Sequence, residues 1–90
     1  MKSIKFSPEL LKQLKEIQKR DYKLYQRINK QLTLFQESPK TRSLRLHKVT
    51  REVKDSWSIS INMSLRMIYT ETEQDFYFYK IGTHDEVYRK

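Results

Sequence analysis

The stretch WSISINMSLRMIY, residues 57–69, constrains the fold more than any other part of the sequence. Every second residue of its first half is apolar and the residues between are serines, which is typical of a strand with one buried face. A three-residue turn at residues 62–64 sets Ile61 opposite Leu65 and brings the apolar side chains of both strands onto one face. A two-residue turn would instead set Arg66 beside Ile61 on that face. Because apolar patterning fixes strand register, we predict a hairpin with the three-residue turn.

This register places Arg66 on the second face of the hairpin, opposite Ser60 and close to Ser58. An arginine on the open face of a sheet is often only a surface charge. We favour a functional site instead, because Arg66 is interpreted as the only basic residue on this face across three strands.

Two helices precede the hairpin in the sequence. Ser7 and Pro8 form a typical helix start, in which an N-cap hydroxyl precedes a proline at the first helical position. Asp21 is placed to cap a second helix, whose apolar residues recur at helical spacing as far as Phe35. Pro39 ends this helix, since the residue before a proline is pushed out of the helical region. We therefore predict a helical hairpin with one apolar face.

The remaining segments are predicted to be strands. Residues 2–6 form a short strand, residues 43–49 alternate between apolar and polar, and FYFYKI at residues 76–81 is aromatic on both faces, as in an interior strand. The fold class is therefore α+β, with an N-terminal strand and a two-helix hairpin packed on a mainly antiparallel sheet of four to five strands. The length predicts a single domain over residues 1–90.

Composition excludes several classes of protein. The chain has no cysteine, which rules out disulfides and thiolate chemistry. It lacks an apolar run of about 20 residues and a signal-peptide-like N-terminus, so we expect a cytoplasmic protein without a membrane partner. A single glycine excludes a P-loop. His47 and His84 lie on separate elements without an acid or cysteine at ligand spacing, so we expect no metal and no cofactor.

The positive charge of the chain is unevenly distributed. The formal net charge is +8, and residues 40–54 contain six basic residues against one acid, a net +5. A concentrated basic segment favours an anionic partner such as a nucleic acid or an acidic protein. The alternative is a solvated loop whose lysines and arginines keep the chain soluble.

The last part of the chain, IGTHDEVYR at residues 81–89, follows the final strand. Together with the element order and the hairpin pattern WSxxI…xRxIY, this G-x-H…Y tail resembles the RelE/YoeB group of bacterial toxins over essentially the whole chain. The resemblance implies a RelE-like fold and ribosome-dependent, metal-independent cleavage of mRNA by an endoribonuclease. It also implies a cognate antitoxin protein, and the decoding site of the ribosome as the place of action.

The resemblance implies catalytic roles for Arg66, His84 and Tyr88. Arg66 matches the arginine of the family's central strand and would hold the scissile phosphate. His84 would serve as an acid or a base, because an imidazole with a pKa near ~6.5 exchanges protons at cellular pH. Tyr88 would act in proton transfer or in ordering the substrate. The rival interpretation is that Gly82 and His84 form a turn and that Tyr88 anchors the tail to the core.

The sequence departs from the family at Ser58 and Ser60, where RelE carries two lysines. Serines cannot neutralise a phosphate, so we expect other basic residues to supply the missing charge. His47 shares a face with Arg45 in the predicted strand and is a candidate second proton carrier. The residues expected to contact RNA or its phosphates are Arg45, His47, Lys48, Arg51, Lys54, Ser58, Ser60 and Arg89.

A second class of function stays open at this point. The chain could be a noncatalytic or degenerate module of the RelE/ParE fold that binds an antitoxin, RNA or DNA gyrase. Relatives with the ParE fold that poison gyrase lack the H…Y tail, so the tail argues against gyrase as the target. The nuclease interpretation requires Arg66, His84 and Tyr88 to converge on one face, whereas a binding module needs only the basic surface.

Overall fold

The computed structural model describes residues 2–49 and 55–88. The strands are β1 (Ser3–Phe6), β2 (His47–Val49), β3 (Ser56–Ser60), β4 (Leu65–Glu71) and β5 (Asp75–Thr83). The helices are α1 (Pro8–Arg20), α2 (Tyr22–Glu37) and α3 (His84–Tyr88), with a 3₁₀ turn at Arg42–Leu44 before β2. None of the helices in the described ranges is long and apolar enough to cross a membrane.

The five strands form one sheet in the order β1-β5-β4-β3-β2. Only β1 and β5 run parallel, and the other neighbouring strands are antiparallel. The α1–α2 hairpin connects β1 to the opposite side of the sheet and covers one face of it. The predicted α+β architecture is therefore confirmed, and β5 is the interior strand that its two aromatic faces indicated.

Both helices begin where the sequence predicted. Ser7 Oγ accepts a hydrogen bond from the Leu10 N–H at 3.1 Å, with Pro8 in the first turn. Asp21 Oδ1 accepts from the Leu24 N–H, also at 3.1 Å, and so caps α2. These side chains satisfy backbone donors that have no partner inside the helix, so each helix begins at its cap residue.

The core lies between the helical hairpin and the covered face of the sheet. Phe35 of α2 sits at its centre and meets three aromatic rings of β4 and β5 edge-on, with centroid distances of 5.0 Å to Tyr69, 4.9 Å to Phe76 and 5.6 Å to Phe78. Such edge-to-face contacts add to the stabilisation from burial. The apolar stripes of both helices supply the rest of this layer, except that Leu11 is 43% exposed.

The predicted strand over residues 43–49 is wrong in its first half. The Leu44 N–H donates to Thr41 O and the Arg45 N–H to Arg42 O, which forms the 3₁₀ turn. Arg45 then adopts a left-handed conformation with φ of 46°. These local bonds use backbone groups that a strand would need for its ladder, because the chain has to turn from the end of α2 into the sheet edge while burying Leu44. Only His47–Val49 pairs with β3.

The second face of the sheet carries a smaller apolar cluster. Val49, Ile68 and Val87 are buried there, and Tyr79 packs against them. Val87 belongs to α3, so this short helix folds back over β4 and β5 on the side opposite to the helical hairpin. Helix α3 thus lies on the face that bears Arg66.

Candidate functional site

The β3–β4 hairpin has the predicted register. Trp57 pairs with Tyr69, Ile59 with Met67 and Ser60 with Arg66, and the Ile61 N–H donates to Leu65 O at 2.9 Å. The turn between them is closed by Asn62, whose Oδ1 accepts from the N–H groups of Ser64 at 2.9 Å and Leu65 at 2.8 Å. An asparagine side chain that bonds to the backbone two and three residues on makes a tight turn of fixed geometry.

Arg66 is held by one nitrogen of its guanidinium. Nη1 donates to Asn62 O at 2.9 Å, to Leu65 O at 3.1 Å and to Ser60 Oγ at 3.3 Å, and the residue is only 7% exposed. Within the described ranges, Nε and Nη2 have no hydrogen-bond partner and no carboxylate lies in ion-pair contact with the side chain. Nε and Nη2 form one edge of the planar group, with the spacing that matches two oxygens of a phosphate.

The two serines on the Arg66 face are both buried, and one of them contacts the guanidinium. The Ser60 hydroxyl donates to Asn62 O at 2.8 Å and accepts from Arg66 Nη1. Ser58 is fully buried and Ser60 is 5% exposed. The pair was expected to contact phosphate directly, but in this structure the Ser58 hydroxyl is covered and the Ser60 hydroxyl is used to fix the guanidinium.

Lys80 is a second cation on this face that sequence analysis overlooked. In the β4–β5 pairing Arg66 lies opposite Gly82 and Ile68 lies opposite Lys80, so the two basic residues share a face on neighbouring strands. The pattern FYFYKI by itself indicates only an aromatic interior strand. The available signal was that Lys80 stands two residues before Gly82, and therefore on the same side of its strand.

The helix α3 begins with a reciprocal cap. The Thr83 N–H donates to Glu86 Oε1 at 2.8 Å, and the Glu86 N–H donates to Thr83 Oγ1 at 3.2 Å. The bond from the Thr83 backbone is the main cause that lowers the pKa of the exposed Glu86 carboxyl. This is the S/T-x-x-E capping box, and it turns the chain from β5 directly into α3.

Gly82 allows α3 to lie against the sheet. A Cβ at this position would stand 3.1 Å from Glu86 Cβ and 3.4 Å from Val87 Cγ1. Val87 is 2% exposed and packs with Ile68, which lies two residues after Arg66 on the same face. The only glycine of the chain therefore permits the close approach of the helix that follows it, and Val87 is a buried anchor of this helix.

His84 and Tyr88 are the first and last residues of α3. Their backbone belongs to a helix on the Arg66 face, while their side chains lie outside what the structure describes. Arg51, Lys54 and Arg89 also lie outside the described residues. The convergence of the three expected catalytic side chains stays a prediction, and the position of the helix that carries two of them supports it.

The basic segment is divided between the two faces of the sheet. His47 pairs with Ser58 and so shares the Arg66 face, whereas Lys48 pairs with Trp57 on the helical side and contacts Asp55 at 3.4 Å. Arg45 lies before the strand, so it does not share a strand face with His47 as predicted. His47 Nδ1 is 2.9 Å from Arg45 O, and this nitrogen carries the proton because a carbonyl oxygen only accepts.

The chain matches the family model described as the YafQ bacterial toxin of type II toxin–antitoxin systems over residues 2–89. Among solved structures it is similar to YafQ of Escherichia coli BL21(DE3), with 21% identity, a TM-score of 0.74, and coverage of 98% of this chain and 99% of that one. The E. coli DinJ–YafQ complex gives 21% identity, a TM-score of 0.77 and the same coverages. The YoeB dimer of Staphylococcus aureus gives 23% identity and a TM-score of 0.74, with coverage of 92% of this chain and 97% of that one. No curated protein matches significantly.

Proposed function

The chain belongs to the YafQ family of bacterial toxins from type II toxin–antitoxin systems, and from that premise we propose that it is an endoribonuclease that cleaves mRNA on the ribosome. The observation that carries the proposal is the Nε–Nη2 edge of Arg66, which has no partner among the described residues and lies on the same face as the helix that bears His84 and Tyr88. The proposed place of action is the cytoplasm, where the decoding site presents mRNA. The proposed partner in the resting state is a cognate antitoxin, as in the DinJ–YafQ and YoeB–YefM complexes.

The reaction we propose is an internal attack of the ribose on its own phosphate. The 2′-hydroxyl loses a proton and its oxygen bonds to the adjacent phosphorus, while the bond from phosphorus to the 5′-oxygen breaks and that oxygen takes up a proton. Negative charge builds on the phosphate oxygens in the transition state. Arg66 would stabilise this charge with its Nε–Nη2 edge, and Lys80 would add a second positive charge on the same face.

His84 and Tyr88 are the proposed proton carriers. An imidazole accepts and releases protons near neutral pH, and a phenol can relay or order them. Since side chains provide both the cations and the proton carriers, the reaction as proposed requires no metal ion. The other residues proposed to hold the RNA backbone are Arg45, His47, Arg51, Lys54 and Arg89, of which His47 lies on the Arg66 face. Lys48 would contact RNA only from the other side of the sheet.

Induced expression tests the proposal in cells. Expression of the toxin should arrest growth by stopping translation, and co-expression of its antitoxin should relieve the arrest. The double variant His84→Ala/Tyr88→Phe should be harmless at the same protein level. Persisting toxicity of this variant, or DNA damage in place of cut mRNA, would contradict the nuclease function. Tight binding to ribosomes without cleavage would support the noncatalytic alternative.

The pH profile tests the role of His84. The wild-type cleavage rate on programmed ribosomes should vary between about pH 5 and 8, because an imidazole titrates in this range. His84→Ala should be slower and its profile should be flat there. Free mRNA serves as the control for ribosome dependence. A His84→Ala profile that is parallel to the wild-type profile would assign His84 to the structure of the tail alone.

A further inference from the structure

Three consecutive carbonyl groups at the end of β3 each accept a hydrogen bond from a side chain. Gln31 Nε2 donates to Ser60 O at 2.9 Å, Arg27 Nε donates to Ile61 O at 2.8 Å, and Arg66 Nη1 donates to Asn62 O at 2.9 Å. Gln31 and Arg27 come from α2 on one side of the sheet, whereas Arg66 lies on the other. The turn that holds Arg66 is therefore fixed from both sides.

Gln31 occupies a position that the helical pattern reserves for an apolar residue. It follows Ile28 by three residues and is 2% exposed, among the core side chains of α2. A buried amide is costly unless it is hydrogen-bonded. Its bond to Ser60 O satisfies it and also fixes the peptide plane of the serine whose hydroxyl contacts Arg66 Nη1.

Arg27 compensates for an irregularity in the hairpin ladder. In a regular antiparallel pair the Leu65 N–H would donate back to Ile61 O. Here it donates to Asn62 Oδ1 at 2.8 Å instead, which closes the turn and leaves Ile61 O without its ladder donor. Arg27 Nε supplies that donor from the exposed side of α2.

We propose that Gln31 and Arg27 are positioning residues for Arg66. They fix the carbonyls of Ser60 and Ile61, and through the Ser60 hydroxyl and Asn62 O they set the orientation of the guanidinium. Its Nε–Nη2 edge then faces an incoming anion without reorganisation, which is the condition for strong electrostatic stabilisation. This role rests on the proposed RNA cleavage for its kinetic consequence, but the orientation of Arg66 is a property of the free protein.

The kinetic test is a double-mutant cycle on programmed ribosomes. Gln31→Met replaces the amide by an apolar side chain of similar length. We expect kcat to fall about 10- to 100-fold with little change in KM, because the Arg66 guanidinium is then misplaced. In the Arg66→Ala background the same change should have no further effect. Gln26→Met, an exposed position on the same helix, is the matched control and should leave the rate unchanged. Additive losses in the cycle would overturn the proposal.

The structural test measures Arg66 directly in the free protein. The side-chain Nε–H resonance of Arg66 should shift in Gln31→Met and in Arg27→Ala, and stay in place in Gln26→Met and Lys30→Ala. Arg27 is exposed, so Arg27→Ala keeps the test available if Gln31→Met folds poorly. An unchanged Arg66 resonance in well-folded variants overturns the proposal. Wild-type protein that cuts no mRNA would contradict the proposed function, and the resonance would still decide the positioning.

Discussion

At the scale of single residues, the burial of Arg66 determines what it can do. Arg66 as a whole residue is 7% exposed, so its guanidinium loses hydration, and in the described part of the chain three oxygens around Nη1 offset that loss. The remaining edge has no partner there, so a phosphate that binds to it gains more than it would at a flexible surface arginine. A lysine in the same place would lack the second donor of the fork.

The free energy of unfolding should depend on pH through Glu86, and the capping box determines the direction of that dependence. Its folded pKa is lowered, chiefly by the Thr83 N–H, so it lies below the unfolded value. The stabilisation from its charge is then complete above the unfolded pKa and is lost as the pH falls through the folded one. We expect the free energy of unfolding of Glu86→Gln to lie slightly below the wild-type value at pH 7, and the gap to close in acid. Urea titrations at several pH values measure it, and a constant gap would contradict this origin.

At the scale of elements, the caps and the hairpin register could be predicted because their signals are local. Ser7 and Asp21 precede apolar stripes, and the apolar alternation admits only one turn length that keeps Arg66 off the core face. The 3₁₀ turn before β2 could not be predicted, because the alternation over residues 43–49 is compatible with a strand. Only the path of the chain out of α2 excludes a strand in the first half of this segment. A five-residue helix such as α3 is too short for periodicity, although T-x-x-E at Thr83 marked its start.

Gly82 links β5 to α3, and its replacement tests their packing. Gly82→Ala adds a Cβ 3.1 Å from Glu86 Cβ, so α3 has to move away from the sheet by a few tenths of an ångström. We expect the variant to lose about 1 kcal/mol of stability and to show faster amide exchange in α3, with the exchange of β4 unchanged. Val87→Ala, which removes the anchor of α3, should give the same exchange pattern. Unaltered protection of α3 in Gly82→Ala would show that the space at Gly82 does not determine how α3 packs on the sheet.

At the scale of the whole molecule, the chain has a net charge of +8, and its described basic residues lie on both faces of the sheet and on the helical hairpin. The sequence indicated an anionic partner and one basic segment. It did not indicate how the basic residues are distributed over the two faces, because that depends on the side to which each residue of β2 points. His47 lies with Arg66, and Lys48 lies on the helical side. Lys80 could not be placed for a similar reason. The β4–β5 pairing puts Lys80 on the Arg66 face, and it contains a bulge between Ile68 and Tyr69 that the sequence does not mark.

The charge predicts how the proposed antitoxin associates. An acidic antitoxin segment should be steered by the basic surface, so the association rate constant should fall steeply as the salt concentration rises from about 50 to 500 mM, where screening shortens the reach of charges to a few ångströms. Arg45→Ala should lower both the rate constant and its salt dependence, whereas Glu9→Ala, which removes an exposed acid on α1, should not lower the rate constant. An association rate indifferent to salt would show that apolar contacts, rather than charge, guide the encounter.

The central claim is that Arg66 holds the phosphate of a cleaved mRNA, and single-turnover cleavage on programmed ribosomes tests it most directly. Arg66→Ala should slow cleavage about 100- to 1,000-fold, as loss of one transition-state contact typically does. Arg66→Lys should recover only part of the rate, and Arg20→Ala, an exposed arginine on α1, should cleave like the wild type. An Arg66→Ala rate within a few-fold of the wild-type rate, in a protein that still folds and binds ribosomes, would contradict the account.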